Sequence, residues 1–155
     1  MKNDDLVRVG LIGGLAAVWV LAVVPGSINF ADDLRVASID GQPSALWRQE
    51  VSAWSRYVVL VALAVTLLWY GYGVSQRIGQ WSGVNHRLAW NLCLLATVCM
   101  VAYAGFSLTT VAQGVEVVWG VYAFHGCGLY YVASVLASPT RWKYTPPLAV
   151  YFRKL

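Results

Sequence analysis

Residues 88–140 decide the fold, and they read LAWNLCLLATVCMVAYAGFSLTTVAQGVEVVWGVYAFHGCGLYYVASVLASPT. Glu116 is the one formally charged side chain in this stretch, and it separates uncharged runs of 28 residues (88–115) and 24 residues (117–140). A bilayer core about 30 Å thick is crossed by about 20 apolar helical residues, so each run can span it. Gln113, Gly114 and Glu116 are too polar for the hydrocarbon centre and too few for a separate domain. The stretch therefore predicts a transmembrane helical hairpin that turns at one membrane surface.

The composition of the whole chain agrees with a membrane protein. Its 155 residues are 59% hydrophobic and 12% charged, whereas a soluble domain is about 25% charged. The net charge of +4 comes from basic residues at the ends of the apolar runs, which argues against a nucleic-acid partner. The three cysteines form no CxxC pair, so they indicate neither a metal knuckle nor a secreted disulfide framework. We predict one all-α membrane domain over residues 1–155.

The domain contains four apolar segments, each predicted to be a membrane-spanning helix. The first is read as a retained helix rather than a cleaved signal, because acids precede it and no convincing cleavage site follows. Pro25-Gly26 is expected to end it. The predicted spans are about 9–25, 57–76, 88–112 and 116–138, with an outer loop at 26–50 and a tail at 139–155.

The basic residues predict how these helices are oriented. With both termini in the cytoplasm, eight of the 11 basic residues face that side. These eight are Lys2, Arg8, Arg77, Arg87, Arg141, Lys143, Arg153 and Lys154, and the other three are Arg35, Arg48 and Arg56. This positive-inside bias predicts a multi-pass protein of a bacterial inner membrane with both ends cytoplasmic. The basic, aromatic tail is expected to lie on anionic lipid headgroups.

The predicted membrane surfaces carry aromatic and charged residues. Tryptophans at these surfaces are usual interface anchors, and we expect this role for Trp47, Trp54, Trp69 and Trp142. A docking surface for a partner protein is the other interpretation of the first two. Arg56 and Glu116 should lie at similar depth, and we expect them to form an ion pair because a partly desolvated charge is costly alone.

His125 is the most conspicuous candidate for chemistry. It lies nine residues into the fourth predicted span, about 13 Å along a helix that rises about 1.5 Å per residue. An ionisable side chain at such depth suggests a function. His125 would serve as a haem ligand, as a proton-relay or quinone-binding residue, or as a neutral imidazole hydrogen-bonded between helices, with Tyr103 as its expected partner. We prefer the structural interpretation and predict no cofactor, with quinone or haem b as the alternative.

Small and weakly polar residues indicate where helices approach each other closely. The expected packing residues are Gly10, Gly14, Gly120, Gly126, Gly128, Cys127 and Asn91. Cys99 and Cys127 lie at equal distances from the turn at Gln113, so they should be level in the membrane. We interpret both as packing residues rather than as a redox pair.

The chain has no P-loop, HExxH, GxSxG or dinucleotide motif. It also has no acid at mid-membrane, which disfavours an ordinary ion-coupled carrier. We therefore expect a non-catalytic inner-membrane subunit of a larger secretion, conjugation or respiratory assembly. Its partners would be other membrane subunits or copies of itself. The alternatives are a quinone- or haem-associated redox subunit that uses His125, and a small homo-oligomeric pore or carrier.

Overall fold

The structure, a computed structural model, describes residues 3–36, 44–75, 83–108 and 115–138. These ranges form four long helices and contain no strand. The second helix is Ser44–Ser75 and the third is Gly83–Phe106. All four helices are long and apolar enough to cross a membrane, so the predicted all-helical architecture with four apolar helices is confirmed.

The first and fourth helices each contain a π-helical turn. The first joins α-helical segments Asn3–Val18 and Val24–Val36 through the π turn Trp19–Val23. The fourth joins Val115–Ala123 and Leu129–Ala137 through the π turn Phe124–Gly128. π turns are rare, and they occur frequently at functional sites.

The first helix does not end at Pro25-Gly26 as predicted, because it continues to Val36. Proline lacks a backbone N–H, and its ring crowds the carbonyl four residues earlier, which is that of Leu21. Leu21 lies inside the π turn, where the Val24 N–H reaches back to the carbonyl of Trp19. Local π adjustments of this kind let membrane helices accommodate proline. The predicted loop over 26–50 is therefore helical at both ends, up to Val36 and again from Ser44.

The predicted third span also changes at its end. Helical structure stops at Phe106 rather than at residue 112, and Ser107 and Leu108 are not helical. The turn expected at Gln113-Gly114 and the whole of the predicted tail at 139–155, with Trp142, lie outside the described residues.

The helices pack as a bundle in which the first and fourth run antiparallel. The N-terminal segment of the first helix contacts the C-terminal segment of the fourth, and the later segment of the first contacts the early segment of the fourth. The second helix contacts all three others. Arg8 donates from Nη1 to the carbonyls of Ala137 and Ser138, each at 3.1 Å. This cation satisfies carbonyls that a helix C-terminus leaves unpaired and opposes the negative end of its dipole.

Glycine allows the closest helix contacts at two positions. A Cβ at Gly126 would lie 2.8 Å from Val101 Cγ2, 3.0 Å from Val58 Cγ1 and 3.1 Å from Thr97 Cγ2. A Cβ at Gly105 would lie 2.6 Å from the ring of Trp119. The backbone of the fourth helix therefore lies close against side chains of the second and third helices at Gly126.

The other predicted packing residues contribute less within this chain. Gly10, Gly14 and Gly120 are exposed, and a Cβ at any of them would have open space within 4 Å. Asn91 is exposed, Cys127 is half-buried, and a Cβ at Gly128 would make only an ordinary 3.6 Å contact with Phe124. Contact of the exposed glycines with another chain stays a prediction.

Two of the expected interface anchors are core residues instead. Trp47 is 2% exposed and Trp69 is 1% exposed, so both indoles fill the space between helices rather than face the membrane surface. Trp54 is half-buried, and its ring lies 5.9 Å from Tyr57 and 5.6 Å from Tyr103. Of the three expected anchors that lie within the described residues, Trp54 alone retains the partial exposure that an anchor needs.

Substitution at Gly126 tests this packing. We expect Gly126→Ala to destabilise the bundle by about 1–3 kcal/mol, because the new methyl overpacks stiff β-branched neighbours. Gly120→Ala is the matched control on the same helix, and it should be neutral or up to about 1 kcal/mol stabilising because alanine favours helix. Unfolding of both variants in detergent measures the difference. Equal stability of the two variants would contradict the close approach.

Candidate functional site

His125 is completely buried, with 0% of its surface exposed, in the interior of the bundle. It is the second residue of the π turn in the fourth helix. Its ring centroid lies 5.6 Å from that of Phe124, and Phe124 in turn lies 5.3 Å from the ring of Trp19. The imidazole is thus enclosed by aromatic groups from its own helix and from the first helix.

Trp19 fixes the role of one ring nitrogen. Its indole Nε1 lies 3.1 Å from Nδ1 of His125. The indole N–H is a donor only, so Nδ1 has to accept this hydrogen bond with its lone pair. Nδ1 therefore carries no proton, and the imidazole is neutral with its hydrogen on Nε2.

Ser27 fixes the role of the other nitrogen. Its Oγ lies 2.8 Å from Nε2 of His125 and 2.9 Å from the carbonyl oxygen of Val24. A carbonyl only accepts, so the hydroxyl hydrogen points to Val24 and leaves the oxygen free to accept from Nε2–H. The result is one directed chain in which Trp19 donates to His125, His125 to Ser27, and Ser27 to Val24. We call Trp19, Ser27 and His125 the histidine triad.

This chain limits what the imidazole can do chemically. A neutral imidazole binds a metal through its one nitrogen lone pair, and here that lone pair already accepts from Trp19. A proton bound at Nδ1 would point at the indole N–H of Trp19. Two hydrogen-bond donors would then face each other, which disfavours protonation at Nδ1. The path beyond Nε2 ends at a backbone carbonyl. The geometry therefore fits a structural tie between two helices rather than a ligand or a relay.

The two π turns bring the triad together. Trp19 begins the π turn of the first helix, and His125 lies in the π turn of the fourth. A π turn contains an extra residue relative to an α turn, so it rotates the following side chains around the helix. Ser27 lies two residues after Pro25, beyond the turn that accommodates the proline. The π turns of the first and fourth helices and the buried His125 therefore lie at the same site in the bundle.

The sequence identified His125 but not its partners. Tyr103, the expected partner, is 62% exposed and packs edge-on against Trp54 instead. The missed partners are Trp19 and Ser27 on the first helix. Two sequence features indicate these contacts: an indole within an apolar run, and a serine just after a proline in an apolar helix. Both groups usually form hydrogen bonds when they are buried.

A second polar contact joins the third and fourth helices. Trp90 donates from Nε1 to Ser134 Oγ at 3.0 Å, and Tyr130 donates to the carbonyl of Trp90 at 2.9 Å. Thr97 donates to the carbonyl of Cys93 in its own helix at 3.0 Å, so this hydroxyl does not join two helices. Cys99 is exposed and Cys127 half-buried, and both are free thiols.

At the opposite end of the bundle from Arg8, the ion pair joins Arg48 to Asp32. Asp32 is buried, and its Oδ2 accepts from the guanidinium of Arg48. Within the described ranges no ion pair joins Arg56 to Glu116, and both side chains are exposed. The sequence did not predict the pair of Asp32 with Arg48, because it did not show that the first helix extends far enough to bring Asp32 opposite Arg48.

No family model, curated protein or solved structure matches this chain. Across residues 3–36, 44–75, 83–108 and 115–138, no three His, Cys, Asp or Glu side chains come together as a candidate metal site. The hydrogen bonds of His125 to Trp19 and Ser27 make the histidine triad the candidate site.

A double-mutant cycle measures the bond between Trp19 and His125. We expect the pair Trp19→Phe and His125→Leu to be coupled by about 0.6 kcal/mol, and at most about 1.7, the range for interhelical hydrogen bonds in membranes. His125→Gln should be milder than His125→Leu, because an amide can both accept from Trp19 and donate to Ser27.

Trp90→Phe is the matched control, because it also deletes an indole donor but one that bonds to Ser134. Its combination with His125→Leu should be additive within about 0.3–0.5 kcal/mol. Coupling for Trp19 no larger than that for Trp90 would remove the triad as a stabilising unit.

Proposed function

We propose that this chain is a non-catalytic subunit of a larger assembly in a bacterial inner membrane, of a secretion, conjugation or respiratory type. In this role it crosses the membrane four times with both termini in the cytoplasm, and it acts by helix packing. The observation that carries the proposal is the engagement of both ring nitrogens of His125 by Trp19 and Ser27. His125 is the side chain best suited to chemistry, and both of its ring nitrogens are used in hydrogen bonds between the first and fourth helices.

A redox role would require the triad to open. Haem ligation needs a free imidazole lone pair, and a hydrogen bond to the other nitrogen commonly orients such a ligand. His125 has the orienting bond to Ser27, but its lone pair is directed at Trp19. This arrangement favours the scaffolding role over the haem-associated alternative.

The exposed face of the first helix supports an assembly partner. Gly10 and Gly14 are exposed with open space around them, and Ala17 is exposed on roughly the same face. Small residues four apart let two membrane helices approach closely and gain dispersion contact, since lipid provides no hydrophobic drive between helices. No described residue lies within 4 Å of a Cβ added at Gly10 or Gly14, so we expect another subunit to cover this face.

Purification in mild detergent tests the proposal. We expect the tagged chain to extract from its native membrane as part of a stoichiometric complex with other membrane proteins. Gly14→Leu should release it from the complex, because a large side chain prevents close helix approach. Gly71→Leu is the matched control, since Gly71 is also exposed with open space and lies on a different helix.

Native mass and absorbance spectra read out the result. Both variants should keep the thermal stability of the isolated chain. A complex that contains only copies of this chain would support the pore or carrier alternative, and a haem absorbance band would support the redox alternative. A wild-type monomer, or a Gly14→Leu variant that stays in the complex, would contradict the proposed role.

A further inference from the structure

A groove with a basic lining lies between the first and second helices, at the end of the bundle that holds Asp32. Its volume is about 580 Å³. The lining residues are Pro25, Ile28 and Asn29 of the first helix and Arg48, Gln49, Ser52, Ala53 and Arg56 of the second. The second-helix members fall on one helical face. The groove therefore has two arginines and three uncharged polar side chains, and none of the described residues that line it carries a carboxylate.

The arginines at this groove differ in how they are paired. Asp32 takes the Nε and Nη2 donors of Arg48, and a guanidinium has five N–H donors, so Nη1 remains available. Arg56 is exposed and makes no ion pair with any residue in the described part of the chain. One neutralised and one uncompensated arginine give the groove a net positive charge.

The position of the groove sets what can neutralise that charge. Arg48 and Arg56 are eight residues apart, about 12 Å along the helix axis, at the beginning of a helix that is apolar enough to cross a membrane. An isolated charge in hydrocarbon is costly, so these side chains belong at the depth of the lipid phosphates. Arginine is well matched to phosphate, because its planar donors can bind two oxygens at once.

We infer that this groove binds the headgroup of an anionic phospholipid, with its phosphate at Arg56. Asn29, Gln49 and Ser52 supply hydrogen-bond partners for headgroup hydroxyls, and Pro25, Ile28 and Ala53 form an apolar wall for the first part of an acyl chain. A zwitterionic headgroup fits less well, because its ammonium would meet arginines and no lining carboxylate. None of the residues named for this site belongs to the basic tail, where contact with anionic headgroups was expected from the sequence.

Lipid binding to the purified full chain in detergent tests this site. The probe is phosphatidylglycerol, and phosphatidylcholine is the comparison. We expect phosphatidylglycerol adducts in native mass spectra and a raised melting temperature with that lipid only. Arg56→Gln should weaken binding about tenfold, since a hydrogen bond to a charged group contributes about 1.5–3 kcal/mol and 1.4 kcal/mol is tenfold.

Two further variants separate a specific site from general basicity. Arg87→Gln removes a positive charge from an exposed position of the third helix and should leave binding unchanged. Ala53→Phe fills the groove from an exposed position without altering charge, and it should lose binding like Arg56→Gln. Each variant is compared with the wild type for thermal stability in phosphatidylcholine, where Arg56→Gln and Ala53→Phe should be unchanged.

Inorganic phosphate distinguishes a lipid site from a simple anion site. We expect millimolar phosphate to neither stabilise the protein nor displace phosphatidylglycerol, because the acyl chain contributes to binding. Equal binding of the two lipids, unchanged binding by Arg56→Gln or Ala53→Phe, or full replacement of the lipid effect by phosphate would overturn the inference. Loss of phosphatidylglycerol binding in Arg87→Gln equal to that in Arg56→Gln would do the same.

Discussion

The hydrogen-bond chain from Trp19 through His125 to Ser27 is the constraint on which the bundle depends. In an apolar interior an unpaired polar group costs several kcal/mol. Burying a neutral His125 therefore requires a hydrogen-bond donor at one ring nitrogen and an acceptor at the other. Both come from the first helix, on either side of its π turn and Pro25. The triad thereby fixes the rotation and the depth of the first helix against the fourth. Every other contact between these two helices has to be compatible with that register.

Packing elsewhere follows from this register. With His125 facing the first helix, Gly126 faces the second and third helices, where its missing side chain lets Val58 and Val101 approach. Polar contacts then secure the two ends of the first helix, with Arg8 on the last carbonyls of the fourth helix and Asp32 on Arg48 of the second. The bundle combines close backbone contact at small residues with a few internal hydrogen bonds, the usual means of association for membrane helices. Among the features that the described residues leave uncovered are the face of the first helix with Gly10 and Gly14 and the basic groove.

The sequence predicted the number and apolar character of the helices. Hydrophobic run length and charge placement decide those features, and both can be read directly. It did not predict that the first helix passes Pro25, because a proline is a stop signal unless a π turn absorbs its missing donor. It also missed Trp19 and Ser27, since two π turns change which side chains face each other, and no spacing rule for regular helix anticipates that. Trp47 and Trp69 show the same limit, because an indole near a helix end is suited to an interface or to a core, and only the packing decides.

The protonation state of His125 tests the central claim most directly. The chain has two histidines, so His86→Gln leaves His125 as the sole source of imidazole signals in ¹⁵N nuclear magnetic resonance of histidine-labelled protein. We expect a neutral ring with an unprotonated Nδ1 and a protonated Nε2, in slow exchange with water. We also expect Trp19→Phe to shift the Nδ1 resonance, because that nitrogen loses its donor. An imidazolium, a proton on Nδ1, or a ring unaffected by Trp19→Phe would contradict the account.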